Sequence, residues 1–176
     1  MKSICDMKPI ELAGWVYSHL SRKGIMVTLS GGAVVAFYSE GQYVSKDLDF
    51  VNMYFATRKK IRAAMEEIEF LEDGRHFVHP ETKLFIEFPP GPLSVGNQIV
   101  SDCIMVSSQS GSVRILTPAD CVKDRLAAFY YWNDHQCLIQ AQMVCKNQNV
   151  DIGEIEDWSK KEGKTALFLE IKSRLK

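Results

Sequence analysis

Two short motifs carry residue types that suit phosphate and metal chemistry. Ser30-Gly31-Gly32 offers a glycine turn whose backbone N–H groups can approach an anion closely. Further along, Asp47-Leu48-Asp49 places two carboxylates two residues apart. Alternate residues of a strand face the same side, so these carboxylates are expected to project together, about 6.6 Å apart. Their repulsion favours a bound cation, and hard oxygen ligands favour Mg²⁺ or Mn²⁺.

The segments around these motifs are predicted to hold them in one strand–helix–strand unit. The apolar runs 25–29 and 48–51 predict strands, and 33–37 predicts the first turns of a short helix. The positive N-terminal end of that helix would add to phosphate binding. The hydroxyl of Ser30 or Ser45 could donate a further hydrogen bond to a phosphate oxygen.

The remaining periodicity predicts more strands, followed by helices. Segments 77–79 and 84–88 predict a hairpin, and two more strand segments are 103–106 and 113–116. The sequence therefore predicts an α+β fold with a mixed β-sheet flanked by helices and a helical C-terminal third. We expect an α/β core over residues 1–116 and a helical region over residues 117–176 packed on it.

Four polar residues are predicted to cap helices of this fold. Thr57 is placed to cap a helix with an apolar stripe, and Thr117 is followed by proline and an acid in the first turn. Asn133, three residues before Gln136, predicts the start of the next helix, and Asp151 predicts the start of a third.

Composition excludes several classes of protein. The chain has 176 residues, a formal net charge of −1 and 46% hydrophobic residues, so no global field attracts it to nucleic acid or to a membrane. No apolar run reaches the length of a membrane span, and the N-terminus lacks the pattern of a signal peptide. Five scattered cysteines without a Cys-x-x-Cys pair predict free thiols and no zinc site. A cytoplasmic location is therefore expected.

The order of the glycine turn and the acidic pair resembles the nucleotidyltransferase superfamily related to DNA polymerase beta. Within it, the pattern is similar to the bacterial branch of AbiEii-type toxins and minimal nucleotidyltransferases, over roughly residues 25–145. The resemblance implies that Gly31 and Gly32 bind phosphate and that Asp47 and Asp49 bind metal.

The same resemblance implies a third acid and a contact to the triphosphate. Glu87, in the predicted strand 84–88, is the candidate third catalytic acid and metal ligand. Lys123 would contact the triphosphate from the helix that follows the sheet, where Asp124 and Arg125 would be structural.

The implied activity is transfer of a nucleoside monophosphate from a nucleoside triphosphate to an acceptor, assisted by Mg²⁺ or Mn²⁺. The acceptor would be an RNA such as a tRNA end, a partner protein or a small molecule, and such proteins often belong to toxin–antitoxin systems. An alternative is a catalytically weak module of the same fold that binds a nucleotide or a protein. Glu87 in place of the usual Asp, and Lys46 before Asp47, motivate this alternative.

Histidines and aromatic residues outside these motifs leave other interpretations open. His76 and His79 are an odd number of residues apart, so we expect opposite faces of a strand and structural roles. The run 129–132, Phe-Tyr-Tyr-Trp, is expected to form core and one wall of a groove, with nucleobase stacking on one of its rings as the alternative.

Overall fold

The computed structural model describes residues 3–176, so residues 1 and 2 of the expected core lie outside the described residues. Within this range the chain forms seven α-helices and nine β-strands. The helices are α1 (Pro9–Arg22), α2 (Gly31–Tyr38), α3 (Arg58–Glu66), α4 (Pro118–Trp132), α5 (His135–Asn147), α6 (Ile152–Lys161) and α7 (Thr165–Ile171). The strands are β1 (Val27–Ser30), β2 (Asp47–Asn52), β3 (Leu71–Asp73), β4 (His76–Val78), β5 (Phe85–Glu87), β6 (Ser94–Val95), β7 (Gln98–Ile99), β8 (Cys103–Ser108) and β9 (Gly111–Leu116).

Seven strands form one mixed sheet in the order β3-β4-β5-β2-β1-β9-β8. β2 is the middle strand, and β1 lies beside it, antiparallel to β2 and parallel to β9. β2 and β5 are parallel, and β4 and β5 form the predicted antiparallel hairpin. The two-residue strands β6 and β7 follow β5 along the chain and precede β8, and they form a separate small hairpin outside this sheet. The predicted α+β architecture, a mixed sheet flanked by helices with a helical C-terminal third, is confirmed.

The strands that carry the motifs are held by a continuous apolar core. All four residues of β1 are buried, and in β2 Leu48 and Phe50 are fully buried, so the intervening residues Asp47 and Asp49 face the other side of the sheet. The same core cluster includes Val122 and Leu126 of α4 as well as side chains of α5, α6 and α7. The expected division between residues 116 and 117 stays a prediction, because the apolar side chains of both parts pack in one cluster.

Three of the predicted helix caps are confirmed, and one is wrong. The side chains of Thr57, Thr117 and Asp151 accept hydrogen bonds from backbone N–H groups in the first turns of α3, α4 and α6. Asn133 instead ends α4, with φ 55° and ψ 34°, and Asp134 caps α5. A left-handed residue closes a helix, so Asn133 cannot also supply the extended backbone that begins the next one.

Three further findings bear on the sequence-based expectations. The helix after β1 begins at Gly31 itself, so the two glycines form its first turn and no separate turn precedes it. The five cysteines are free thiols. Among the described residues, no helix is both long enough and apolar enough to cross a bilayer.

Candidate functional site

A row of polar side chains crosses the middle of the sheet. Ser30, the last residue of β1, is paired with Asp49 of β2, and Asp49 is paired with Glu87, the last residue of β5. Laterally paired residues project from the same face of a sheet, and adjacent strands lie about 4.8 Å apart. Asp47 lies on the same face, two residues before Asp49. The structure thus brings the three predicted acids to one face of two neighbouring strands.

Gly31 lies directly against the carboxylate of Asp49. Its φ is +68°, in the region that favours glycine, and a β-carbon at this position would overlap Asp49 Oδ2. The hydroxyl of Ser30 donates to the backbone carbonyl oxygen of Asp49 at 3.4 Å. The first turn of α2 therefore packs against the central acid of the row, and only a residue without a side chain permits this approach.

Ser45 and Gly32 fix the position of Asp47. Ser45 is buried, and its Oγ donates to Asp47 Oδ1 at 2.5 Å. A β-carbon at Gly32 would lie 2.8 Å from the same Oγ, so the helix start and the loop before β2 meet here. In this structure Ser45 orients a carboxylate, whereas the sequence-based prediction gave it a phosphate contact.

Glu87 is engaged by the hairpin that β5 forms with β4. His76, its lateral partner on β4, places Nε2 2.5 Å from Glu87 Oε1, and Arg75 Nε lies 3.4 Å from the same oxygen. His76 therefore contacts a candidate catalytic acid, beyond the structural role expected from its spacing to His79. His79 is buried on another side, with its ring packed against Phe70.

The proximity of these acids alters the acidity of Asp49. Burial, together with the charges of Asp47 and Glu87, raises the pKa of the Asp49 carboxyl from 3.8 to about 7. Arg125 acts in the opposite direction, and Asp124 adds a smaller increase. The row thus concentrates negative charge that a cation or a proton at Asp49 would relieve.

The donor set fits a hard divalent cation at Asp47 and Asp49. Both groups are carboxylates and both lie on one face, and burial together with the neighbouring carboxylates raises the pKa of Asp49, so a bound cation would favour its ionised form. Over residues 3–176, no group of three or more His, Cys, Asp or Glu side chains converges closely enough to hold a metal ion. Glu87 has one oxygen, Oε1, engaged by His76, so as a third ligand it would use its other oxygen or leave that contact.

Arg125 and Asp124 of α4 form the wall opposite Asp49. A cleft of about 340 Å³ is lined by Ser30, Gly31 and Asp49 on the sheet side and by Asp124 and Arg125 on the helix side. Arg125 is mostly buried; its Nη2 donates to Asp124 Oδ2 at 2.5 Å, and its Nη1 donates to Gln140 Oε1 at 3.3 Å. We call this space the acidic cleft. The sequence resemblance gave Asp124 and Arg125 only structural roles, although the structure places them at the cleft.

Lys123 is not part of the acidic cleft. It is 3% exposed, and its Nζ donates to Asp120 Oδ1 at 3.0 Å and to Glu154 Oε1 at 2.6 Å. The bond to Glu154 joins α4 to the start of α6, on another side of the helix from the cleft. Arg125, rather than Lys123, is the cation that α4 brings to the predicted phosphate site.

Comparisons with known proteins add two solved structures of distant similarity. A crystal structure of ANT(2″)-Ia in complex with adenylyl-2″-tobramycin is 11% identical, with a TM-score of 0.47 over 75% of this chain and 84% of that chain. A solution structure of the antibiotic-resistance factor ANT(2″)-Ia is 13% identical, with a TM-score of 0.49 over 91% of this chain and 90% of that chain. No protein-family model matches the sequence, and no curated protein matches it significantly. Similarity at this level does not define a substrate or an activity.

Proposed function

We propose that this protein is a nucleotidyltransferase, which transfers a nucleoside monophosphate from a nucleoside triphosphate to a hydroxyl group of an acceptor. An acceptor oxygen would form a bond to the α-phosphorus, the bond from that phosphorus to the bridging oxygen would break, and pyrophosphate would leave. A carboxylate of the acidic row would take the hydroxyl proton. Transfers of this kind depend mainly on positioning and on the stabilisation of charge.

One observation carries this proposal. Asp49 lies at the centre of a row with Ser30 and Glu87, with Asp47 on the same face and Gly31 pressed against its carboxylate. This arrangement combines closely spaced acids with the first turn of a helix, whose backbone N–H groups attract anions. A purely structural strand end would not gain from collecting like charges in a partly buried cleft.

In the proposed reaction, the carboxylates hold the metal, and backbone groups and Arg125 hold the phosphates. Asp47 and Asp49 would hold Mg²⁺ or Mn²⁺, and the bound metal would neutralise negative charge on the triphosphate. The backbone of Gly31 and Gly32 would receive phosphate oxygens, and the guanidinium of Arg125 would face them across the cleft. Glu87, once released from His76, would complete the ligand set or accept the proton.

The acceptor is proposed only as a class of hydroxyl compound. A tRNA end, a protein hydroxyl and a small molecule stay open as acceptors, and a role in a bacterial toxin–antitoxin system stays a prediction. The test must therefore screen these classes together.

The decisive experiment is a transfer assay with α-labelled nucleoside triphosphates, Mg²⁺ or Mn²⁺, and separate fractions of RNA, protein and small molecules. Wild type is expected to transfer label and release pyrophosphate with at least one nucleotide, and Asp47→Asn and Asp49→Asn are expected to lose this by at least a hundredfold. Asp73→Asn is the matched control, because Asp73 is an exposed strand aspartate outside the cleft. Absence of transfer to all three fractions with all four nucleotides would contradict the proposal.

A second candidate is a module that binds nucleotide without turnover. The 2.5 Å contact between His76 Nε2 and Glu87 Oε1 favours it, because this contact already engages one oxygen of the third acid. Calorimetric titration with Mg²⁺ and a nucleoside triphosphate separates the two functions. Metal-dependent binding that is lost in Asp47→Asn, together with no label transfer, would support the binding module.

A further inference from the structure

A second depression continues from the acidic cleft along α4. Its volume is about 510 Å³, and it shares Asp124 and Arg125 with the acidic cleft as its boundary. Its far end is formed by Tyr131 and Trp132, and we call it the aromatic lobe. We call the two adjoining spaces together the groove; it has charged groups at one end and aromatic rings at the other.

Helical spacing explains how one element provides both ends of this groove. Arg125, Ala128 and Trp132 follow each other at intervals of three and four residues, which places them on one face of α4. The side chain of Ala128 is small, so it leaves room above the middle of this face. Seven residues of helix separate Arg125 from Trp132, or about 10 Å along the axis. This is the order of distance that separates the triphosphate from the base of a nucleotide.

The opposite wall also runs along both spaces. The segment that leaves β5 lines the acidic cleft at Pro92 and Ser94 and then lines the aromatic lobe at Gly96 and Asn97, the turn of the small β6–β7 hairpin. Asn97 is fixed there, because its Nδ2 donates to Glu162 Oε2 at 2.9 Å. The same anchored segment therefore borders both the acidic cleft and the aromatic lobe.

The two rings of the lobe differ in how far they are already engaged. Tyr131 donates from its hydroxyl to Glu162 Oε2 at 2.5 Å, and Lys164 Nζ lies 4.6 Å from the centre of its ring. Trp132 is 83% exposed, and its ring stacks on no other ring among the residues that the structure describes. Phe129, by contrast, is core, as the sequence analysis expected for this run. Trp132 is thus a large free aromatic face at the end of a groove that begins at the proposed phosphate site.

We propose that the aromatic lobe is the nucleobase subsite and that the base of the nucleoside triphosphate stacks on Trp132. This inference rests on the proposed function, since it requires the phosphates to lie in the acidic cleft. The residues shared by the two spaces and the position of Trp132 on the same helix face as Arg125 favour the base over the acceptor as the occupant. Every base has a ring face that can stack on Trp132. Because purine rings have the larger area, the lobe is expected to bind purines more strongly than pyrimidines.

Calorimetry with two kinds of probe tests the subsite. Non-hydrolysable α,β-methylene analogues of the four nucleoside triphosphates are titrated with Mg²⁺, and inorganic tripolyphosphate with Mg²⁺ is titrated in parallel. In wild type, the best analogue is expected to bind about tenfold tighter than tripolyphosphate, the effect of one stacked base. Trp132→Ala is expected to remove this advantage and to leave the affinity for tripolyphosphate unchanged, whereas Trp132→Phe keeps most of it.

Tyr54→Ala serves as the matched control, because Tyr54 is an equally exposed aromatic residue outside the groove. Equal affinity for analogues and tripolyphosphate in wild type would overturn the nucleobase subsite and leave the proposed function standing. An unchanged affinity for the analogues in Trp132→Ala would also overturn the nucleobase subsite. This holds even if the variant transfers the nucleotide to the acceptor more slowly. Absence of Mg²⁺-dependent binding of every probe would instead overturn both the subsite and the proposed function.

Discussion

Asp49 links the electrostatics of the site to the stability of the protein. Its carboxyl group is partly buried beside two other acids, and its pKa is raised from 3.8 to about 7. Between about pH 4 and pH 7 the folded protein therefore binds more protons at Asp49 than the unfolded chain does. The free energy of unfolding that Asp49 contributes is therefore fully present below about pH 4 and is lost as the pH rises through about 7.

This relation gives a test at the scale of a single residue. In EDTA, the free energy of unfolding of wild type is expected to fall more between pH 4.5 and pH 7.5 than that of Asp49→Asn. The difference between the two is at most about 4 kcal/mol, the equivalent of the whole change in pKa. Urea denaturation at several pH values measures it. The same pH dependence in both proteins would contradict the raised pKa.

The approach of Gly31 to Asp49 gives a second test. Gly31→Ala would place an alanine in the left-handed region of backbone conformation, and its β-carbon would overlap the Asp49 carboxylate. We therefore expect loss of metal-dependent nucleotide binding and a decrease of roughly 2–4 kcal/mol in the free energy of unfolding. Gly163→Ala is the matched control. Gly163 has nearly the same φ, +70°, with open space around it, so it reports the backbone term alone, about 1 kcal/mol. Equal losses in both variants, measured by urea denaturation, would show that the contact with Asp49 carries no cost.

At the scale of elements, α4 shows why sequence alone could not determine which of its basic residues reaches the acidic cleft. Lys123 and Arg125 are two residues apart, about 200° around the helix, so they must face different sides. The sequence identifies both as basic residues next to an apolar stripe, and the resemblance chose Lys123. Only the packing of α4 against α6 and the sheet determines which side meets the cleft and which meets Asp120 and Glu154.

The same substitution at these two positions should separate stability from binding. Lys123→Met leaves Asp120 buried without its cation, so we expect a loss of roughly 2–4 kcal/mol in the free energy of unfolding and unchanged nucleotide affinity. Arg125→Met removes the cation that faces Asp49, so we expect roughly tenfold weaker binding of a nucleoside triphosphate with Mg²⁺. Urea denaturation and calorimetry on both variants measure the two effects. Weaker nucleotide binding in Lys123→Met alone would restore the sequence-based assignment.

Other elements divide between those that local sequence determines and those that it does not. The strands of the acidic motif, the β4–β5 hairpin and the caps Thr57, Thr117 and Asp151 were predictable, because periodicity and capping are local signals. β3, β6 and β7 were not predicted; they have two or three residues each, too few to show alternation. The lateral pairing of Asp49 with Glu87 was also beyond the sequence, since it depends on the register between strands that are distant in the chain.

At the scale of the whole molecule, the helical third and the sheet share one core. Leu126 of α4, Trp158 of α6 and Phe168 of α7 are buried in the same cluster as β1 and β2. The acidic cleft has the same dual origin, because its acids lie on the sheet and Arg125 lies on α4. The two regions are therefore expected to depend on each other for both stability and binding.

Equilibrium unfolding tests this dependence. We expect a single cooperative transition, with the same midpoint by far-ultraviolet circular dichroism and by tryptophan fluorescence, which includes buried Trp158 of the helical third. Trp158→Phe provides the control that assigns the fluorescence change to the helical third. Two separate midpoints would show that residues 117–176 unfold independently of the sheet.

The parallel pairing of β1 with β9 has a consequence for how the protein is made. The register joins Leu29 to Ile115, so β1, a strand inside the sheet, lacks one of its two neighbours until β9 leaves the ribosome much later. A nascent chain that has passed Glu87 carries every acid of the row but has an open strand edge at β1 and no Arg125. We therefore expect ribosome-bound chains that stop before β9 to bind no nucleotide and to be the stage of synthesis most exposed to aggregation.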